Sequence, residues 1–202
     1  MIAPRRLVQQ AVGSAGVNVW LALLGLLTTP YLLLHLGRAA YGVFAMVSLV
    51  SAHLSNLELG FGHATIRYLA KARAVADREG ERAVLNTSFV VFLAGGATGG
   101  AIFFLAARYL ATRFFQIPPE LQPAAITSFK LGGAILAASF LTSFFGAALQ
   151  ALGRFGWLNG SRFLFGSTAA LAAVGAVAAG FGLQGVLGVQ PFIALAAALA
   201  LG

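Results

Sequence analysis

Leu57-Glu58-Leu59-Gly60-Phe61-Gly62-His63-Ala64-Thr65-Ile66-Arg67-Tyr68-Leu69-Ala70 is the stretch that decides the fold. An apolar run ends there in an acid and two glycines, and a basic, alanine-rich segment follows at once. The simplest physical reading is a transmembrane helix that reaches the membrane surface, bends at Glu58, Gly60 and Gly62, and continues as a surface helix over about 64–83. In that segment Arg67, Lys71 and Arg78 follow a spacing of four and seven, which puts them on one face, with Ile66, Leu69 and Ala70 opposite. That is the pattern of a helix lying in the interface, its basic residues among anionic lipid head groups at the cytoplasmic face. Asp77, Arg78, Glu79, Gly80 and Glu81 then make a polar turn.

Working outward, the composition fits the same solvent. The chain is 59% hydrophobic and 9% charged, against roughly 45–50% and about 25% for an ordinary soluble domain. Its net charge of +8 would suit nucleic acid, but the basic residues sit in loops between apolar runs, so no nucleic-acid partner is expected. There is no cysteine, which excludes disulfides, thiolate nucleophiles and cysteine–metal sites. No phosphate-binding loop, zinc motif or dinucleotide fingerprint occurs. With three histidines and five acids, a catalytic or metal constellation has little raw material, so neither an enzyme nor a cofactor is expected.

Apolar runs long enough to cross a bilayer predict six spans, at about 12–36, 41–59, 84–106, 124–149, 163–180 and 186–202. The fold class expected is an all-α polytopic membrane protein. The first run is too long for a signal-peptide core and reads as a retained span. Pro30 lies inside it and predicts a kink, with Thr28 or Thr29 satisfying a freed carbonyl. The turn 37–40 is short, so the first two spans are expected to be antiparallel neighbours. Gly95-Gly96-Ala97-Thr98-Gly99-Gly100 in the third span holds overlapping small-x-x-x-small patterns that admit a neighbouring helix closely. Pro118, Pro119 and Pro123 end a helix, and 152–162 reads as a basic, aromatic loop at the interface. The sixth run continues to Gly202 with no polar tail, which reads as a fragment.

Lysine and arginine set the orientation. One side takes Arg5, Arg6, Arg67, Lys71, Arg73, Arg78, Arg82, Arg154 and Arg162; the other takes Arg38, Arg108 and Arg113. The excess places the N-terminus in the cytoplasm.

Ionisable residues inside a bilayer are costly and face cavities or partners. Glu58, at the end of the second span, has a structural reading, pairing with Arg67 or Lys71 to fix the bend. His53 lies about one and a half turns deeper and either lines a pathway or bonds another span while neutral. Lys130, roughly 10 Å below the start of span four, either snorkels outward or supplies a cavity cation. Asn18 and Asn86 suit sugar hydroxyls, although hydrogen bonds between helices are the commoner use of such residues.

These residues carry a resemblance. Asn18, Pro30, the stretch Leu33-Leu34-His35-Leu36-Gly37-Arg38-Ala39-Ala40-Tyr41-Gly42 and Ser51 look like the first two spans of the polysaccharide biosynthesis proteins. These are lipid-linked oligosaccharide flippases of the MOP (multidrug, oligosaccharidyl-lipid, polysaccharide) exporter superfamily. Leu57 to Gly62 with Ala64, Arg67 and Tyr68 resembles that family's best-known stretch. Leu149-Gln150-Ala151-Leu152-Gly153-Arg154-Phe155 with Asn159 and Arg162 resembles its loop after span four. The match runs in order from Arg6 to about Arg162.

The resemblance implies a MATE-like fold of two six-helix lobes about a central cavity, of which 1–202 is the N-terminal lobe and the second is missing. It implies an alternating-access transporter that moves undecaprenyl-linked oligosaccharide, a precursor of envelope polysaccharide such as lipopolysaccharide, across the bacterial inner membrane. Cationic residues would hold the diphosphate, and Lys130 is the cation well inside a span; His53, Asn18 and Asn86 are the other substrate-binding candidates, with Glu58, Gly60, Gly62, Arg67 and Pro30 structural or gating. A cation-coupled multidrug antiporter of the same superfamily is the first alternative, though such transporters usually carry an acid in span one and this chain has none there. A membrane scaffold in glycan assembly is the second.

Overall fold

The computed structural model describes the backbone of residues 4–56 and 59–201, with side chains described for 12–54 and 60–201. Every regular element among them is helical: α1 (Pro4–Asn56), α2 (Leu59–Ala74), α3 (Arg78–Tyr109), α4 (Gln122–Ala151), α5 (Phe155–Ala178) and α6 (Gly182–Leu201), with a π turn at Leu110–Phe114 and a 3-10 turn at Pro119–Leu121. Five stretches are long and apolar enough to cross a membrane: Val12–Leu54, Arg78–Phe114, Pro119–Ala151, Phe155–Ala178 and Gly182–Leu201. This is the architecture of a helical, multi-pass membrane protein.

The first of these stretches is 43 residues long, about 65 Å if straight, twice the hydrocarbon thickness of a bilayer. It is not one straight rod. Gly37 has φ 79° and ψ 158°, a backbone conformation essentially reserved for glycine. The break therefore falls on Gly37 alone, and the helix resumes at Arg38 rather than after a four-residue turn. Pro30, by contrast, passes without a break in the helical backbone. The Thr28 hydroxyl donates to Gly25 O at 3.3 Å, not to the carbonyl four residues before the proline.

Contacts give the direction of each arm of α1. The first arm, 4–36, runs alongside α5 in the same sense. Asn159 Nδ2 donates to Ser14 Oγ at 3.1 Å, Trp20 Nε1 donates to Ser167 Oγ at 2.9 Å, and Leu32 packs with Ala173, Ala176 and Val177. The second arm, 38–56, runs with α4: Val43 and Val47 share a core with Phe129, and Val47 and Ser51 lie over Gly132. Because α3 and α5 oppose α4 and α6, the two arms run in opposite senses about Gly37, and Tyr41 and Phe44 fold back onto the cluster that holds Leu32.

α4 is the centre of the bundle. Gly96 and Gly100 of α3 are buried against Ala137, Phe140 and Gly133, the close approach that the small-residue pattern predicts. Phe129 is fully buried between Phe103, edge-on at 5.9 Å, and Phe115, stacked at 5.7 Å. Such contacts supply the van der Waals packing that joins helices where lipid removes any net hydrophobic drive. One end of the bundle collects the start of α1, the α2–α3 and α4–α5 turns and the end of α6; the opposite end holds Gly37, the 110–121 turns and the α5–α6 turn.

Several sequence-derived boundaries shift. The segment 64–83 is not one surface helix: α2 ends at Ala74, Ala76 takes φ 55°, and Asp77 caps α3 by accepting from Gly80 N at 2.9 Å. Arg78 therefore opens α3 and does not share a face with Arg67 and Lys71. α2 also packs on α3 and α4, burying Thr65, Leu69 and Ala72, while Ala70 is exposed. Glu58 lies outside the described residues, and the chain is already helical from Leu59, so Gly60 and Gly62 sit inside α2. The third span starts at Arg78, six residues earlier than expected. α5 begins at Phe155, so only the tight turn around Gly153 (φ 70°) is left of the loop expected over 152–162.

Candidate functional site

A concavity with a markedly polar lining lies toward the end of the bundle that carries the α2–α3 and α4–α5 turns. It is a cleft of about 470 Å³ between the first turns of α2, the last turns of α4, the start of α5 and the end of α6. Its polar lining is His63, Thr142, Ser143, Gln150, Ser161 and Arg162. Each reaches the cleft for a local reason. His63 is placed because α2 lies across α4. Gln150 is the second-last residue of α4, directly before the α4–α5 turn, where Gly153 lets the chain reverse within a few residues. Ser161 and Arg162 follow because α5 is helical from Phe155.

Two hydroxyls of the cleft are tied to backbone. Ser161 Oγ donates to Leu158 O at 2.8 Å, and Thr142 Oγ1 lies 3.0 Å from Ala138 O and 3.3 Å from Ala194 O. They present oxygen lone pairs, while Gln150 brings an amide with donors and an acceptor. Arg162 is exposed and belongs to neither ion pair found among the described residues, which join Glu81 to Arg73 and Arg78. Chemically this is a site for a hydroxyl-rich or anionic group held by hydrogen bonds, with a guanidinium to match a phosphate in geometry and charge.

A second, smaller niche of about 210 Å³ lies between α1, α4 and α6, lined by Ser48, Ser51, Ile135, Leu187 and Gln190. Ser51 is buried at 6% exposure, and its hydroxyl has no hydrogen-bond partner among the described residues. Pro191, inside α6, removes the N–H that would otherwise reach the Leu187 carbonyl.

The four substrate-binding candidates from the sequence do not converge. Asn18 is exposed on the first arm of α1, and it is the neighbouring Ser14 that makes the inter-helix bond to Asn159. His53 is exposed, its Nδ1 2.8 Å from Leu49 O of its own helix. It is two residues, about 200° of helix, from Ser51, which faces α4. Lys130 is likewise two residues from Gly132 and points the other way: it is exposed in a shallow groove between α3 and α4, with Nζ 5.2 Å from the Phe104 ring centroid. Asn86 is exposed 18 residues before Phe104, about 27 Å along α3 from Lys130. Of the structural or gating candidates, Gly62 lines the cleft, Arg67 is exposed on α2, and Pro30 and Gly60 are exposed.

The cleft's own residues were less legible. Arg162 counted in the sequence only as a basic charge and a matching position, Gln150 only as a matching position, and His63 and Ser161 carried no signal of their own. Their convergence depends on α5 starting at Phe155, eight residues before the expected span. Among the described residues, no group of three histidine or acidic side chains could hold a metal ion. No family model, no curated protein and no solved structure matches the chain.

Proposed function

We propose that the chain is one lobe of an alternating-access membrane transporter for lipid-linked oligosaccharide, and that the polar cleft with Arg162 receives the substrate's head group. The observation that carries this is the contrast in linings. An apolar bundle carries a polar concavity, furnished with an amide, hydroxyls and a guanidinium, at the end that also gathers most of its arginines. A sugar diphosphate is a ligand of that chemistry: hydroxyls meet Gln150, Thr142 and Ser143, and phosphate meets Arg162.

The reversal at Gly37 supports counting α1 as two crossings, making six in all. The surplus of lysine and arginine at the cleft end supports placing that end, and the N-terminus, in the cytoplasm. On this reading the natural membrane is the bacterial inner membrane, the substrate is an undecaprenyl-linked glycan, and a second lobe closes the cavity against which this lobe rocks. The fold would then be MATE-like.

The test is a strain lacking the gene. Lipid-linked glycan should accumulate on the cytoplasmic leaflet and be relieved when the gene is restored. Normal glycan export combined with raised sensitivity to cationic drugs would turn the assignment to a multidrug antiporter.

A further inference from the structure

The groove between α2 and α3 is separate from the cleft and of opposite character. It has a volume of about 400 Å³ and an almost wholly apolar lining that includes Phe61, Ala64 and Tyr68 from α2 and Val84, Val91 and Phe92 from α3. Its floor is sealed: Thr65 Oγ1 lies 2.9 Å from Ser88 Oγ and 2.9 Å from Phe61 O, and Phe92 is 2% exposed. Its rims are open, with Phe61 57% and Tyr68 59% exposed, so two aromatic rings stand beside an apolar channel that no protein segment among the described residues fills.

The channel ends at charge. Lys71 stands one turn beyond Tyr68 on the same stripe of α2, Arg67 is adjacent, and Arg82 precedes Ala83 on α3. Around the α2–α3 turn five basic residues (Arg67, Lys71, Arg73, Arg78, Arg82) face three acids (Asp77, Glu79, Glu81). Asp77 is committed to the α3 cap, and Glu81 pairs with Arg73 at 3.7 Å and Arg78 at 3.9 Å. Arg67, Lys71 and Arg82 lie outside those pairs and are exposed. The apolar lining starts at Ala83 and Val84, directly after Arg82, so basic groups adjoin the apolar channel, as charged head groups adjoin hydrocarbon at a membrane surface.

We propose that this groove is a binding site for one anionic phospholipid of the leaflet at this end. Its acyl chain lies between Phe61, Tyr68 and Val91, and its phosphate lies among Lys71, Arg67 and Arg82. The apolar channel suits a chain, and the basic rim selects an anionic head group over a zwitterionic one. The inference rests on membrane embedding alone and is independent of the transport reading, because it is read by binding and needs no transported substrate.

The experiment is native mass spectrometry of the protein exchanged into mixed micelles of phosphatidylglycerol and phosphatidylcholine with identical chains. The protein should retain phosphatidylglycerol preferentially, by about fivefold for each basic residue engaged. Ala64→Trp, which fills the channel, should abolish retention; its helical circular dichroism and thermal transition, compared with the parent, establish that it is folded. Lys71→Gln leaves the channel intact and should keep chain binding while lowering the preference about fivefold. Equal retention of the two lipids by the parent protein, or undiminished phosphatidylglycerol on a folded Ala64→Trp variant, would overturn the proposal. Displacement of phosphatidylglycerol by a polyprenyl phosphate, but not by added phosphatidylcholine, would reassign the groove to the tail of a transported lipid.

Discussion

Gly100 and Gly133 face each other across the α3–α4 interface with no room for a single added carbon. A Cβ on Gly100 would lie 2.8 Å from the Gly133 carbonyl oxygen, and a Cβ on Gly133 would lie 2.7 Å from the Gly100 carbonyl oxygen. The obstacle in both directions is backbone, which cannot swing aside as a flexible side chain can. Gly100→Ala or Gly133→Ala should therefore push the helices apart and cost about 1–3 kcal/mol, even though alanine is the better helix former. Gly99→Ala is the internal control: its Cβ would meet only Leu136 Cδ2 at 3.5 Å, an ordinary contact. Unfolding titrations in mixed detergent should rank Gly99→Ala close to the parent and the other two well below it.

Gly37 carries the reversal of α1. Its φ of 79° with ψ of 158° is a combination that costs a residue with a Cβ about 1–3 kcal/mol, although an added Cβ would have open space around it. Gly37→Ala should destabilise through backbone strain alone, and Gly42→Ala, in helical backbone with equally open space, should be neutral or slightly stabilising. Thermal unfolding of the two variants separates strain from crowding; equal stabilities would show that the break tolerates a side chain.

Ser51 offers a test with the opposite sign. Its hydroxyl is buried without a partner among the described residues, and an unsatisfied buried polar group costs about 1–3 kcal/mol. Ser51→Ala removes that cost and leaves the contacts of Val47 with Gly132 in place, so stability should hold or rise. A loss of more than about 1 kcal/mol would mean that the hydroxyl is engaged in the native membrane, at the level of an ordinary hydrogen bond.

How much of this was legible in the sequence follows from what each feature depends on. Apolar length set the rough position of the long helices, because a bilayer demands long apolar runs whatever their packing; it divided Val12–Leu54 into two spans where the structure has one helix broken at Gly37. The glycine stripe in α3 was legible for the same reason: a local pattern dictates a close approach. Helix ends at the surface were not. Phe155 to Arg162 is basic and aromatic, so composition marked it as loop, yet its backbone bonds are satisfied by continuing α5. The break before Asp77 was missed because Arg67, Lys71 and Arg78 fit one helical face equally well across a turn. The cleft depends on four helices meeting. A residue such as Gln150 becomes notable only when Ser161, Arg162 and His63 arrive beside it, and Lys130, the most conspicuous charge in a span, turns instead toward Phe104.

That difference between Arg162 and Lys130 makes the last prediction. Both are exposed cations on apolar helices. Lys130 sits in the α3–α4 groove with a single ring contact, a cation–π pair worth about 0.5–1 kcal/mol at an exposed site, and it is remote from the cleft's lining. Arg162 lines the cleft with Gln150, Ser143 and His63. If the cleft receives a phosphate-bearing head group, removing its guanidinium takes away a charge-assisted contact worth about 1.5–3 kcal/mol, roughly ten- to a hundredfold in affinity. In cells that depend on this protein for glycan export, Arg162→Ala should cut export by at least tenfold at parent-like abundance, and Arg162→Lys should restore only part, because an ammonium keeps the charge but loses the bidentate fork. Lys130→Ala should export within about twofold of the parent, in keeping with the near-neutral effect of most surface substitutions. The reverse ranking, with Lys130→Ala inactive and Arg162→Ala unaffected at equal abundance, would move the head-group site from the cleft to the α3–α4 groove.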